Sequence, residues 1–222
     1  MRMSSALGIS VVCLALALSA GAVRAEVLGS STVPLSAENA KEAECPLGDL
    51  AADAARSAME ADLALVQASQ FRQAVIPAGD LTREALTGAL LYPDEETVLV
   101  RISGEQLQSA LERGLSMLPK PSTAFLQVSG ITVTFRSDAA AGDRVDQIKV
   151  GREALSLTKE YRVAMPASLA KGALGYFRIF KGLEAEATGP ALGDALCNFV
   201  SAKKVIPPVA EPRLRDLSKP NE

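Results

Sequence analysis

Apolar residues recur at helical spacing from Leu47 onward. Leu47, Leu50, Ala51, Ala54, Ala55 and Ala58 fall at i, i+3, i+4, i+7, i+8 and i+11, which predicts an amphipathic helix to about Ala61. Pro46 suits its first turn. The apolar face is mostly alanine, so its neighbour must approach closely. Leu63-Ala64-Leu65-Val66 is apolar without alternation, the pattern of a strand buried on both faces. Ser69 to Gln73 and Pro77 to Asp80 are turns. Thr82 can cap a helix with Ala85, Leu86, Ala89 and Leu90 on one side. The acidic turn Pro93-Asp94-Glu95-Glu96 leads into a strand from Thr97 to Ile102. Ser103 and Gln106 form a Ser-x-x-Gln capping box ahead of a helix facing inward with Leu107, Ala110, Leu111, Leu115 and Leu118. Phe125 to Phe135 reads as a strand pair bent at Gly130. Strands follow over Arg144–Val150 and Tyr161–Met165. Pro190 opens a last helix that carries Leu192, Ala195, Leu196, Phe199 and Val200 inward.

Helices and strands are interleaved without strict βαβ alternation. The expected class is α+β: one domain with a mixed β-sheet covered by helices. Its expected bounds are 44–217, after a loose lead-in over 26–43 and before a tail over 218–222.

The N-terminus carries a different pattern. Arg2 precedes an apolar stretch from Ala6 to Ala20, and Val23-Arg24-Ala25 places small residues at −3 and −1 of a cleavage site. Residues 1–25 therefore predict a secretory signal peptide cut after Ala25 or Ala22, and a periplasmic or secreted protein. A retained membrane anchor is the other reading, for which the apolar core is short of a span of about 20 residues. Cleavage after Ala25 removes Arg2 and Arg24 and no acid, taking the net charge from −3 to −5. An acidic chain is not expected to bind nucleic acid. Cys45 and Cys197 remain, either as one disulfide in an oxidising compartment or as two buried thiols.

The sequence holds no histidine, which removes imidazole-based nucleophile systems and imidazole metal sites. No metal-ligand pattern, Walker A motif or dinucleotide fingerprint appears, so neither a metal nor a cofactor is expected. The Asp94-Glu95-Glu96 turn reads as a solvated acidic turn rather than a cation site.

Five segments together are informative. Cys45-Pro46-Leu47-Gly48-Asp49-Leu50-Ala51-Ala52-Asp53-Ala54 resembles the Leu-Gly-Asn-Leu-x-x-Asp-Ala helix that opens the C-terminal domain of secreted 5′-nucleotidases. Ala61 to Val66, Ile76 to Thr82, Phe125-Leu126-Gln127-Val128-Ser129-Gly130-Ile131 and Lys159 to Ala164 resemble later segments of that domain, in the same order. The resemblance covers roughly residues 44–216. In the 5′-nucleotidase and UDP-sugar hydrolase family, an N-terminal dimetal phosphatase domain cleaves the ester. The C-terminal domain clamps the base between two aromatic rings and offers arginine to phosphate.

The resemblance therefore implies a nucleoside- or nucleotide-binding module without its own hydrolytic centre. It places Phe125 and Tyr176 as the two stacking rings and Arg72 as the phosphate arginine, with no catalytic residue. Departures are plain. Gly172-Ala173-Leu174-Gly175-Tyr176 replaces Gly-Gly-Asp-Gly-Tyr/Phe, Gln67-Ala68-Ser69-Gln70-Phe71-Arg72 replaces Asn-x-Gly-Gly-x-Arg, and the acidic turn replaces Pro-Asn-Thr. Two alternatives follow: a substrate-recognition subunit acting with a separate metallophosphatase chain, or a structural domain with a vestigial site.

Overall fold

A computed structural model describes residues 25–219. The expected signal peptide and its cleavage sites lie outside these residues, save for Ala25 itself. Five helices are used below: α1 (Pro46–Ala58), α2 (Arg83–Gly88), α3 (Gly104–Leu115), the short α4 (Ala167–Ala170) and α5 (Leu192–Lys203).

The central sheet has five strands in the order Ala185–Ala191, Glu96–Ser103, Glu160–Pro166, Leu63–Gln67, Leu126–Ser129. Only the pairing of Glu160–Pro166 with Leu63–Gln67 is parallel, so the sheet is mixed, as expected for an α+β fold. Leu63–Gln67 is buried along its whole length because both faces are covered. Ala64 and Val66 join a core with α1 and α5, while Leu63 and Leu65 join a second core with α3. A four-stranded sheet, Glu153–Ala154, Val145–Val150, Ile131–Phe135 and Leu214–Asp216, continues from the Gly130 bend, where φ is +79°.

The alanine face of α1 has the predicted use as far as Ala55, whereas Ala58, placed on that face by spacing, is exposed where the helix ends, short of the expected Ala61. Ala51, Ala52, Ala54 and Ala55 are fully buried, and α5 packs against α1. At Gly48 a Cβ would stand 2.5 Å from Gln127, whose amide accepts from Cys45 N and donates to Ala40 O and Ala43 O. Gly48 is needed so that this glutamine can tie the entry of α1 to the sheet.

Two expectations change. Residues 26–43 are not loose: Val27–Ser31 pairs with both Gly79–Thr82 and Val205–Ile206, and Leu35, Ala37 and Ala40 are buried. Pro190 does not open the last helix. It lies in the edge strand Ala185–Ala191, where a missing N–H is tolerated, and α5 starts at Leu192. Close to the C-terminal bound of the expected domain, Leu214–Asp216 pairs in parallel with Ile131–Phe135.

Candidate functional site

Strand register brings the expected ligand loops to one end of the central sheet. Leu63–Gln67 and Glu160–Pro166 run parallel, so the turns that follow them emerge side by side. Thr97 pairs with Pro166, and Leu126 pairs with Gln67, so Glu95 and Phe125 belong to the same end.

Four polar side chains meet there. Gln67 is buried, and its Nε2 donates to Ser168 Oγ at 3.0 Å. Gln70, in the 3₁₀ turn Ala68–Gln70, is also buried, and its Nε2 donates to Glu95 Oε2 at 2.5 Å. The Ser168 backbone N–H donates to Glu95 Oε1 at 2.7 Å. Glu95 is half-buried and spans the Gln70 turn and the start of α4. The acidic turn is therefore not simply solvated, because its middle carboxylate is held by two donors. Gln67 Oε1 and Gln70 Oε1 are buried acceptors without a hydrogen-bond partner.

The three residues expected to grip a ligand do not converge there. Phe125 is 1% exposed and packs in the core beneath α1. Tyr176 is fully buried in the other core, stacked on Phe180 at 5.7 Å, and its hydroxyl donates to Ala124 O at 2.6 Å. Burial pushes the Tyr176 phenol up. Neither ring has an open face for a base. Arg72 is exposed, with its Nε donating to Leu90 O at 3.1 Å. Two rings in the neighbouring segments are exposed instead: Tyr92, 56% exposed in the turn before Glu95, and Phe177, 59% exposed in the loop after α4.

The drifted loop is nonetheless well held. Gly172 has φ +86° and Leu174 takes the left-handed conformation at φ +57°, unusual for leucine. Arg113 on α3 secures it by donating from Nη2 to Leu174 O at 2.6 Å, with its guanidinium 5.9 Å from the Tyr176 ring centre.

Cys45 and Cys197 are both buried and free, which corrects the disulfide reading. Cys45 precedes α1 and Cys197 lies within α5, and each packs as a small apolar side chain. Burial pushes the Cys45 thiol up to about 12 and raises Cys197 as well, so neither is a ready nucleophile. Among the described residues, no group of three or more His, Cys, Asp or Glu side chains could hold a metal ion.

A second polar centre was not anticipated. Arg213 donates from Nη2 to Asp53 Oδ2 at 2.8 Å and from Nη1 to Val128 O at 2.8 Å, and Ser129 Oγ donates to Asp53 Oδ1 at 2.6 Å. These bonds fasten the C-terminal strand to α1 and to the Gly130 bend, a structural role.

The sequence model of the family described as 5′-nucleotidase, C-terminal domain, matches residues 27–182. An apyrase of Anopheles gambiae is 30% identical over 191 residues, covering 82% of this chain and 33% of its own. The crystal structure of a 5′-nucleotidase precursor from Thermus thermophilus superposes with a TM-score of 0.79 at 26% identity, covering 88% of this chain and 40% of that one. The NAD nucleotidase of Haemophilus influenzae shares the fold, with a TM-score of 0.71 at 17% identity over 86% of this chain and 38% of that one. The chain thus spans about a third of the length of the apyrases it matches, 33% to 35%.

Proposed function

Since the chain belongs to the family of 5′-nucleotidase C-terminal domains, we propose that it is an exported recognition module for nucleoside- or nucleotide-type ligands. One observation carries this reading: Gln67, Gln70, Glu95 and Ser168 meet at one end of the sheet, on turns that also carry the open rings Tyr92 and Phe177 or adjoin them. Aromatic faces take any base, and each stacked base is worth about 1–3 kcal/mol. The two buried amides supply directional polar contacts in the manner of small-molecule sites, where a few fixed polar groups set orientation.

Hydrolysis is assigned to a separate metallophosphatase domain or chain. The motive is chemical: two-metal phosphatase centres rely on imidazole and carboxylate ligands, and these 222 residues include no histidine. Export rests on the basic start, the apolar run and the Val23-Arg24-Ala25 site. Mass spectrometry of protein recovered outside the cytoplasm should find a mature N-terminus at Glu26 or Val23. A retained Met1 in that fraction removes the export claim.

Calorimetric titration with adenosine and AMP tests recognition. Heat from either, lost in Tyr92→Ala and Phe177→Ala, supports the reading. No heat from any nucleoside or nucleotide at millimolar ligand defeats it.

A further inference from the structure

A groove of about 630 Å³ lies where α1, the end of α5 and the chain that follows α5 meet. It shares no residue with the polar cluster at the end of the sheet. Leu35, Leu50 and Ile206, all buried, form its deep wall. The walls reach solvent at Val205 and Val209, 52% and 41% exposed. Pro34, Pro46, Pro207 and Pro208 also line it. Proline fixes φ and carries no N–H, so these walls are pre-set and offer no backbone donor. Small-molecule sites have this character: about 300–1,000 Å³, mostly apolar, with a few polar groups that fix orientation.

The charges of the groove define the head group that suits it. Of its four charged residues, Asp53 and Arg213 pair at 2.8 Å, and the other Asp53 oxygen accepts from Ser129 Oγ. The Asp49 acid, pushed up to about 8 by burial and by Glu44, is uncharged at neutral pH. Lys203 is the remaining charge. Its Nζ stands 5.6 Å from the centre of the Phe199 ring, which is itself part of the groove wall. Among the described residues, this exposed ammonium has no ion-pair partner. One unbalanced cation over an apolar wall complements one anionic charge on an apolar body. A carboxylate meets that condition better than a dianionic phosphate.

We propose that this groove is a further binding site, for small amphipathic monocarboxylates: the aliphatic or aromatic body lies against Leu50, Phe199 and Val209, and the carboxylate pairs with the Lys203 ammonium at the rim. Burial of the body supplies affinity, and the ion pair selects the head group. The site is independent of the recognition reading above, and either can fail alone.

Calorimetry with octanoate, octylammonium and octanol, which share a chain and differ in charge, tests the proposal. Octanoate should bind at least about threefold more tightly than either of the others. Lys203→Gln should remove that preference while leaving octanol within about twofold. Val209→Asp, at an exposed position, should weaken octanoate and octanol by about tenfold or more with the urea midpoint unchanged. Octanoate bound no more tightly than octylammonium, or a preference that survives Lys203→Gln, overturns the proposal. No heat from any of the three at millimolar concentration overturns it too. So does a dimer in sedimentation that Val209→Asp dissociates, since a second copy would then fill the groove.

Discussion

Burial and the neighbouring Glu44 carboxylate push the Asp49 acid up to about 8, against the pull of Arg213, whose Nη1 stands 3.7 Å from Asp49 Oδ1. An aspartate in the unfolded chain titrates near 4. Between those two values the folded protein holds a proton that the unfolded chain has released, so stability falls as pH rises through the window, by at most about 1.4 kcal/mol per pH unit. The stabilisation is complete below the unfolded value and is lost as pH rises through the folded one. Asp49 stands where the family motif has asparagine, so Asp49→Asn should flatten this slope and raise the melting temperature at pH 8. Thermal melts at pH 5 and pH 8 check this, and equal slopes in both proteins would refute it. Tyr176 and Phe177 separate in the same residue-level way. Tyr176→Phe strands the Ala124 carbonyl in the core and should cost about 1–3 kcal/mol with ligand affinity unchanged. Phe177→Ala should reverse that pattern, with stability kept and affinity lost. Chemical denaturation paired with calorimetry distinguishes the two.

The elements differ in how openly the sequence declares them. Local chemistry announces α3: Ser103 Oγ accepts from Gln106 N while the Gln106 side chain accepts from Ser103 N, the capping box expected from Ser-x-x-Gln. Ser103→Ala should therefore cost about 1 kcal/mol, read as a lower urea midpoint at constant slope. Three things stayed hidden because they depend on distant neighbours. The Ala185–Ala191 strand carries Gly189 and Pro190 and forms only because Glu96–Ser103 offers a free edge. Leu174 adopts φ +57° because Arg113 holds its carbonyl, not through any local preference. Phe125 heads a strand covered on both faces, and spacing along one strand cannot tell a ring against a helix from a ring against a base. The usable clue was polarity of context: Tyr92 sits beside an acidic turn and Phe177 beside Arg178, as exposed rings do, whereas Phe125 is followed by Leu126.

At the scale of the molecule, the segments that made the family legible are largely those that touch one another. Gly48 packs on Gln127, Asp53 bonds Ser129 and Arg213, and Asp62 exchanges hydrogen bonds with the Arg162 backbone through its own N–H and its carboxylate. A substitution in any of these disturbs a partner far along the chain. The loops at Ser69–Gln70, Asp94–Glu96 and Ala173–Leu174 lie outside the strands instead, and they can drift without unseating the sheet. Stability and recognition should therefore come apart under mutation. Arg213→Ala leaves Asp53 without its guanidinium and Asp49 without the nearby positive charge, and it releases the Leu214–Asp216 strand, so a loss of about 3 kcal/mol or more is expected. Glu95→Gln keeps side-chain length but only one acceptor oxygen for the Gln70 amide and the Ser168 N–H, so it should cost about 1–3 kcal/mol, less than Arg213→Ala. Urea denaturation of the two variants beside wild type decides the matter. A Glu95→Gln protein as destabilised as Arg213→Ala would mean that the Gln70–Glu95–Ser168 contact belongs to the framework, and that the acidic turn is structural.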